Sequence, residues 1–315
     1  MQIVITDGYT LNPGDLSWEP LKEFGEVKYY DRTPAALLAE RCVDAGIIIT
    51  NKTPLSADSI YSFPKLKFIS VTATGYNVVD TIVAKEKGII VSNVPVYGTD
   101  SVAQHTFALI LELANQTGTH AISVANGDWS KSADWSYTLQ PTTEISGKTL
   151  GIVGFGRIGQ KVAEIAKAFG MQVIFNNKGK QSELAIAVAM EELFEQSDFV
   201  SLHCPLTKEN DSFVDKALLS RMKPTASLIN TSRGQLINEG DLAEALQQKI
   251  LAAAALDVLR QEPPPVDHPL IGLPNCIITP HIAWITREAR KRLMQTTFEN
   301  VKAFMAGKPQ HVVNP

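Results

Sequence analysis

A chain of 315 residues exceeds what one compact core usually holds, so two domains are the first expectation. Its composition, 44% hydrophobic and 20% charged, is globular rather than disordered or fibrous. The formal charge of −4 argues against a nucleic-acid partner, which would need a strong basic excess. Cys42, Cys204 and Cys276 are scattered and odd in number, so neither a disulfide framework nor a metal site is indicated. The chain opens on MQIVITDG, a strand-like run rather than a signal peptide. Its most apolar stretches, such as residues 106–114, reach about half the length of a membrane span. The expectation is a cytoplasmic protein with no membrane or nucleic-acid partner.

Short apolar runs rich in β-branched residues alternate with amphipathic segments, the pattern of βα units around a parallel sheet. Strands are predicted at 2–6, 27–30, 46–50, 67–72 and 89–92, with helices between them, for example at 34–45 and 78–87. That set makes a flavodoxin-like unit. A helix pattern over 101–115 follows, then a polar stretch carrying Trp129, Trp135 and Tyr137. A second series begins near Lys148, with strands predicted at 149–153, 172–175, 199–203, 227–231, 253–257 and 276–279. Six strands are the number of a full dinucleotide-binding doubly wound sheet. A last helix over 286–306 stops before Gly307 and Pro309. The fold class is therefore α/β, with two doubly wound parallel sheets. One domain is discontinuous, formed by 1–100 and 284–315, and 101–283 is inserted into it, with an active-site cleft expected between the two.

The segment TLGIVGFGRIGQ holds Gly154, Gly156 and Gly159 as GxGxxG, placed after an apolar strand and at the opening of an amphipathic helix. Gly154 suits a tight turn, Gly156 admits a pyrophosphate to the backbone, and Gly159 lets helix and strand approach. The helix N-terminus at Arg157 and Ile158 then offers free N–H groups to the anion. The acidic residue that would bind the adenosine ribose at the end of the next strand is missing. Asn177 stands there, followed by Lys178. Two readings follow: NAD held through Asn177, which is preferred, or NADP accepted through Lys178.

Polar chemistry gathers after three later strands. INTSRG places Arg233 just past an apolar strand, AAALDVLRQEPPP puts Asp257 at a strand end with Glu262 beyond it, and ITPHIAW puts His281 after the sixth strand. Open α/β sheets bind their ligands at that edge. Each residue alone has a bland explanation; their shared position makes them a candidate site. A histidine can give a proton to a ketone oxygen that is accepting a hydride, and take it back in reverse. Glu262, if in contact with His281, would favour the imidazolium. Arg233 offers a planar fork for a carboxylate or keto oxygen.

With the mid-chain GxGxxG, SLHCPLT, INTSRG, ALDV with its glutamate–proline pair, and TPHIAW in this order, nearly the whole chain resembles the D-isomer-specific 2-hydroxyacid dehydrogenase family. The runs TNKTPL, TATGYNVVD and SVAQHTFALIL, with the Ala–Trp pair after His281, point to its glycerate dehydrogenase (hydroxypyruvate reductase) branch. The resemblance implies that Arg233, Glu262 and His281 are catalytic. It implies that Pro205, Thr231, Ser232, Asp257 and Ala283 lie on the cofactor side, with Cys204 beside them as a packing residue. It implies a substrate-binding first domain in which Thr74 and Gly75 hold the substrate carboxylate through backbone N–H groups. Lys52, in the TNKTPL loop, reads either as added positive charge for the substrate or as a solvated loop lysine. A small 2-keto or 2-hydroxy acid is the expected substrate, and the Trp129/Trp135 region is the expected homodimer contact. Gln104 and His105 are read as structural. Glu262 stands where a formate dehydrogenase would carry glutamine. Phosphoglycerate and lactate enzymes, and a corepressor-like nucleotide sensor, remain as alternatives.

Overall fold

The computed structural model describes residues 1–315. The chain divides into two compact units, Met1–Gly98 together with Ile285–Pro315, and Thr99–Trp284.

The first unit holds strands β1 (Gln2–Ile5), β2 (Glu26–Tyr29), β3 (Ile47–Thr50), β4 (Phe68–Val71) and β5 (Ile90–Ser92) in the order β2-β1-β3-β4-β5. Every pairing is parallel. Parallel strands are covered on both faces, so they read as unbroken apolar runs rather than alternating ones. Ile3, Ile5, Ile47 and Ile49 join Val301, Phe298 and Phe304 on one face. Val4, Ile48, Ile69 and Val91 meet Leu38, Ile60, Phe63 and Ala84 on the other. Phe68 stacks on Phe304 at 4.5 Å, which pins the long helix Arg287–Met305 to its sheet.

The second unit holds β6 (Thr149–Val153), β7 (Gln172–Asn176), β8 (Ile186–Ala187), β9 (Phe199–Leu202), β10 (Ser227–Asn230), β11 (Ala253–Leu256) and β12 (Cys276–Ile278). Their order is β12-β11-β10-β9-β6-β7-β8, all parallel. The order reverses between β6 and β9, the switch point beyond which such sheets bind ligands. Leu150, Ile152, Phe175 and Ile229 face the helices Thr99–Asn115 and Arg157–Ala168. Leu202, Leu228 and Leu256 face residues of the helix Glu239–Gln247.

Both sheets are doubly wound, as the strand pattern predicts. The second has seven strands rather than the expected six. The added β8 is two exposed residues at the sheet edge, paired only through Ile174↔Ile186 and Phe175↔Ala187. An exposed edge pair buries nothing, so it leaves no periodic apolar signal. No helix is long and apolar enough to cross a membrane.

Candidate active site

The predicted chemistry in the second unit sits on the loops that leave β10, β11 and β12. Asn230 ends β10 fully buried and folds the following loop: its Oδ1 accepts from Ser232 N at 2.9 Å and its Nδ2 donates to Arg233 O at 2.7 Å. Arg233 emerges exposed, with Nη1 donating to Ser232 O at 2.7 Å. Gly234 then meets the loop after β11 so closely that a Cβ there would lie 1.9 Å from the Leu259 carbonyl carbon and 2.3 Å from Arg260 N. Only glycine permits that approach. Sequence reading gave Gly234 no role, although a glycine after a ligand-edge arginine is the signal.

The loop after β11 carries Glu262 and is anchored on several sides. Arg260 N donates to Glu239 Oε1 at 2.7 Å, and its guanidinium grips Asp211 at 2.9 and 3.2 Å. Gln235 Nε2 donates to Arg260 O at 3.0 Å. Glu262 turns back, one oxygen accepting from Leu259 N at 3.1 Å and the other lying 2.6 Å from His281 Nδ1. A carboxylate facing an imidazole nitrogen accepts, so Nδ1 carries the proton and Nε2 is the nitrogen available to a substrate. The His281 side chain is 26% exposed, so the ring is not sealed inside the protein.

His281 itself adopts φ +56°, a left-handed conformation that costs a non-glycine residue about 1–2 kcal/mol. Its N–H donates to Asp257 O at 2.8 Å and Thr279 O at 2.9 Å. The Asp257 carboxylate finishes the restraint. One oxygen accepts from Thr279 Oγ1 at 2.6 Å and Ile282 N at 2.8 Å, the other from Ala283 N at 2.8 Å. His105 Nε2 lies 3.4 Å from the same carboxylate and 3.1 Å from Thr279 Oγ1. Burial raises the proton affinity of Asp257, but the bonds from His105, Thr279, Ala283 and Ile282 outweigh it and hold its pKa below the usual 3.8. Asp257 is 1% exposed, and both of its carboxylate oxygens are engaged by the His281 loop. His105 belongs to this brace, in line with its structural reading.

The glycine turn leaves β6. Gly154 has φ +91°, and a Cβ on it would stand 2.4 Å from Cys204 N. The helix Arg157–Ala168 begins at Gly156, which gives it no side-chain cap, and nothing lies within 4 Å of a Cβ built on Gly156. Uncapped N–H groups, with Ile158 and Gly159 in the first turn, beside open space are what a pyrophosphate requires. The Phe155 peptide is held by side chains: Asn177 Oδ1 accepts from its N–H at 3.0 Å, and Gln160 Nε2 donates to its carbonyl at 3.1 Å. Lys178 is exposed. Ser232 Oγ donates to Cys204 O at 2.7 Å, Thr231 Oγ1 lies 3.1 Å from Thr106 Oγ1, and Pro205 O accepts from Asn210 Nδ2 at 2.8 Å. Ala283 is buried, with its carbonyl accepting from Ser101 Oγ at 2.6 Å. These residues fit a dinucleotide.

Behind Gly154, His203 Nε2 lies 2.9 Å from Ser201 Oγ, and burial pushes its imidazole from 6.5 down to about 4. The unfolded chain therefore takes up this proton first, and the contribution to stability is full above pH 6.5 and lost as pH falls towards 4. The loss is roughly 3 kcal/mol at most. Thermal unfolding midpoints should fall across this window and fall less for His203→Gln; parallel curves for the two proteins would contradict the assignment.

In the first unit, Asp7 ends up buried just beyond β1 and gathers the loop after β3, accepting from the N–H groups of Asn51, Lys52 and Thr53 at 2.8, 2.5 and 2.8 Å. The backbone at Lys52 is thus fixed. Thr74 is exposed after β4, with Oγ1 donating to Val94 O at 2.9 Å, and Gly75 follows it. Sequence reading missed Asp7; a carboxylate straight after a buried strand was its signal.

Residues 107–283 match the model of the D-isomer-specific 2-hydroxyacid dehydrogenase NAD-binding domain. The chain is 46% identical over 321 residues to a hydroxypyruvate reductase of Blautia hydrogenotrophica, covering 100% of both chains. It is 40% identical over 291 residues to a glycerate dehydrogenase of Methylorubrum extorquens, covering 91% of this chain and 92% of that one. Among solved structures, an acyclic imino acid reductase in complex with NADPH and D-Arg superposes with a TM-score of 0.86 at 34% identity, covering 99% of this chain and 100% of that one.

Proposed function

The chain belongs to the D-isomer-specific 2-hydroxyacid dehydrogenase family, and we propose that within it the protein interconverts hydroxypyruvate and D-glycerate. The observation that carries this reading is the 2.6 Å contact between Glu262 and His281 Nδ1, which leaves Nε2 for the substrate oxygen. The nicotinamide, when bound, supplies the hydride to the carbonyl carbon or takes it back. As charge grows on the ketone oxygen, the protonated His281 ring donates from Nε2, and Glu262 holds that ring by its Nδ1–H. In the oxidative direction the neutral ring removes the hydroxyl proton. Arg233 holds the carboxylate or keto oxygen with two parallel N–H donors. Lys52 and the backbone of Thr74 and Gly75 supply further anion binding. Gly154, Gly156, Arg157 and Ile158 would cradle the pyrophosphate, Gly159 would let helix and strand approach behind it, and Asn177, Lys178, Pro205, Thr231, Ser232, Asp257 and Ala283 would line the rest of the cofactor.

We assign the protein to the cytoplasm, in keeping with three free cysteines, and to a homodimer. Trp135 is 89% exposed and Trp129 and Ile122 are also largely open, on the helix Thr117–Ala125 and the segment after it. Apolar area of that kind is normally covered. Recovery in a membrane pellet, or sedimentation as one chain, would remove these assignments.

The direct test is oxidation of NADH and NADPH with hydroxypyruvate, glyoxylate and pyruvate as acceptors. The expected result is the highest kcat/KM with hydroxypyruvate. No oxidation with any of them would overturn the enzyme reading.

A further inference from the structure

We infer that the adenosine end of this cofactor site is built for a 2′-phosphate, so that the protein selects NADP(H) over NAD(H). The inference rests on the dinucleotide-binding reading above and deepens it.

A site that selects NAD needs an acceptor for the ribose hydroxyls, and a carboxylate at the end of the second strand supplies it while repelling a phosphate. Asn177 occupies that place and cannot do the same work. Its Oδ1 is committed to Phe155 N at 3.0 Å, and because that backbone group is a donor, the oxygen cannot be exchanged with the nitrogen. The amide therefore has only its NH₂ group left to offer a ligand. Asn176 does not substitute for it, since its Nδ2 donates to Val188 O at 2.8 Å.

The chain then makes a tight turn in which Lys180 N donates to Asn177 O at 3.0 Å and Gly179 takes φ +72°. Glycine with positive φ at the third position is the type II arrangement, and it puts Lys178 at the exposed corner. Lys180 folds back, its Nζ donating to Phe155 O and lying 5.7 Å from the centre of the Phe155 ring. Its charge is thus held beside Asn177 without a carboxylate to neutralise it. Glu183 is the single acid between Glu164 and Glu191. The end of β7 therefore carries the Asn177 amide donors, the exposed Lys178 and the Lys180 ammonium folded onto Phe155, a set of donors and cations. A ribose hydroxyl pair gains little from such a set. A 2′-phosphate, which only accepts and carries up to two negative charges, is its complement.

Equilibrium binding of NADPH and NADH to the whole protein, read by calorimetry without any acceptor present, tests this. NADPH is expected to bind about tenfold or more tightly, a difference of about 1.4 kcal/mol. Asn177→Asp keeps the shape and the bond to Phe155 N, and should weaken NADPH by about tenfold or more while sparing NADH. Lys178→Ala should weaken NADPH alone. Equal or tighter binding of NADH by the unaltered protein, or equal loss of both nucleotides in Asn177→Asp, overturns the selectivity and leaves the dehydrogenase reading standing. Binding of neither nucleotide overturns both.

Discussion

His281→Ala should lower kcat by about 10²–10⁴-fold, the range for loss of a general acid–base group. Cofactor affinity should be spared, because His281 lies on the loop after β12 and the glycine turn lies after β6. The main-chain position is also preserved, since the two hydrogen bonds that hold residue 281 are made by its N–H rather than its ring. Rapid-mixing measurement of a single turnover separates the proton-transfer step from binding. Turnover within a few-fold of the unaltered enzyme would take the proton away from His281 and force a search for another donor.

Gly234→Ala is expected to act without touching any reacting atom. A methyl group 1.9 Å from the Leu259 carbonyl carbon cannot be accommodated by rotation of a side chain, because the obstacle is backbone. The loop carrying Arg233 and the loop carrying Glu262 must separate by roughly 1 Å or more, and a misplacement of about that size costs on the order of 10²-fold in rate. Overpacking of this kind also costs about 1–3 kcal/mol of stability. Steady-state kcat/KM beside a urea unfolding curve would read both effects. A variant with normal kcat/KM would mean that the spacing of the two loops does not govern catalysis.

Much of this was legible in the sequence because burial leaves a mark there. The β1 run QIVI and the β3 run IIIT are covered on both faces, and their continuous β-branched character announces parallel strands. Where burial is absent the mark disappears, as with the exposed Ile186–Ala187 pair. The polar residues at strand ends stood out for the complementary reason: Arg233, Glu262 and His281 follow buried segments and have no packing role to explain them. Pairings were harder to read. Nothing in the spacing says that Glu262 faces His281 Nδ1, since the contact depends on the path of an irregular loop fastened to Glu239, Asp211 and Gln235. The resemblance puts Asp257 on the cofactor side, and the sequence says nothing more of it. Its work on the backbone of Ile282 and Ala283 shows only when the chain has turned back on itself. Gly234 was hidden because close approach is a property of two loops and neither loop records the other.

The left-handed backbone at His281 sets two selective pressures against each other. A glycine there would relieve the chain of its steric cost, and an asparagine would reduce it, so any screen that rewards folding alone should drift towards those residues and lose the imidazole. On the role proposed for His281, it is the reaction that holds histidine in place against that drift. The Asp257 carboxylate holds the backbone of Ile282 and Ala283 and not the ring of residue 281, so the same screen should spare it.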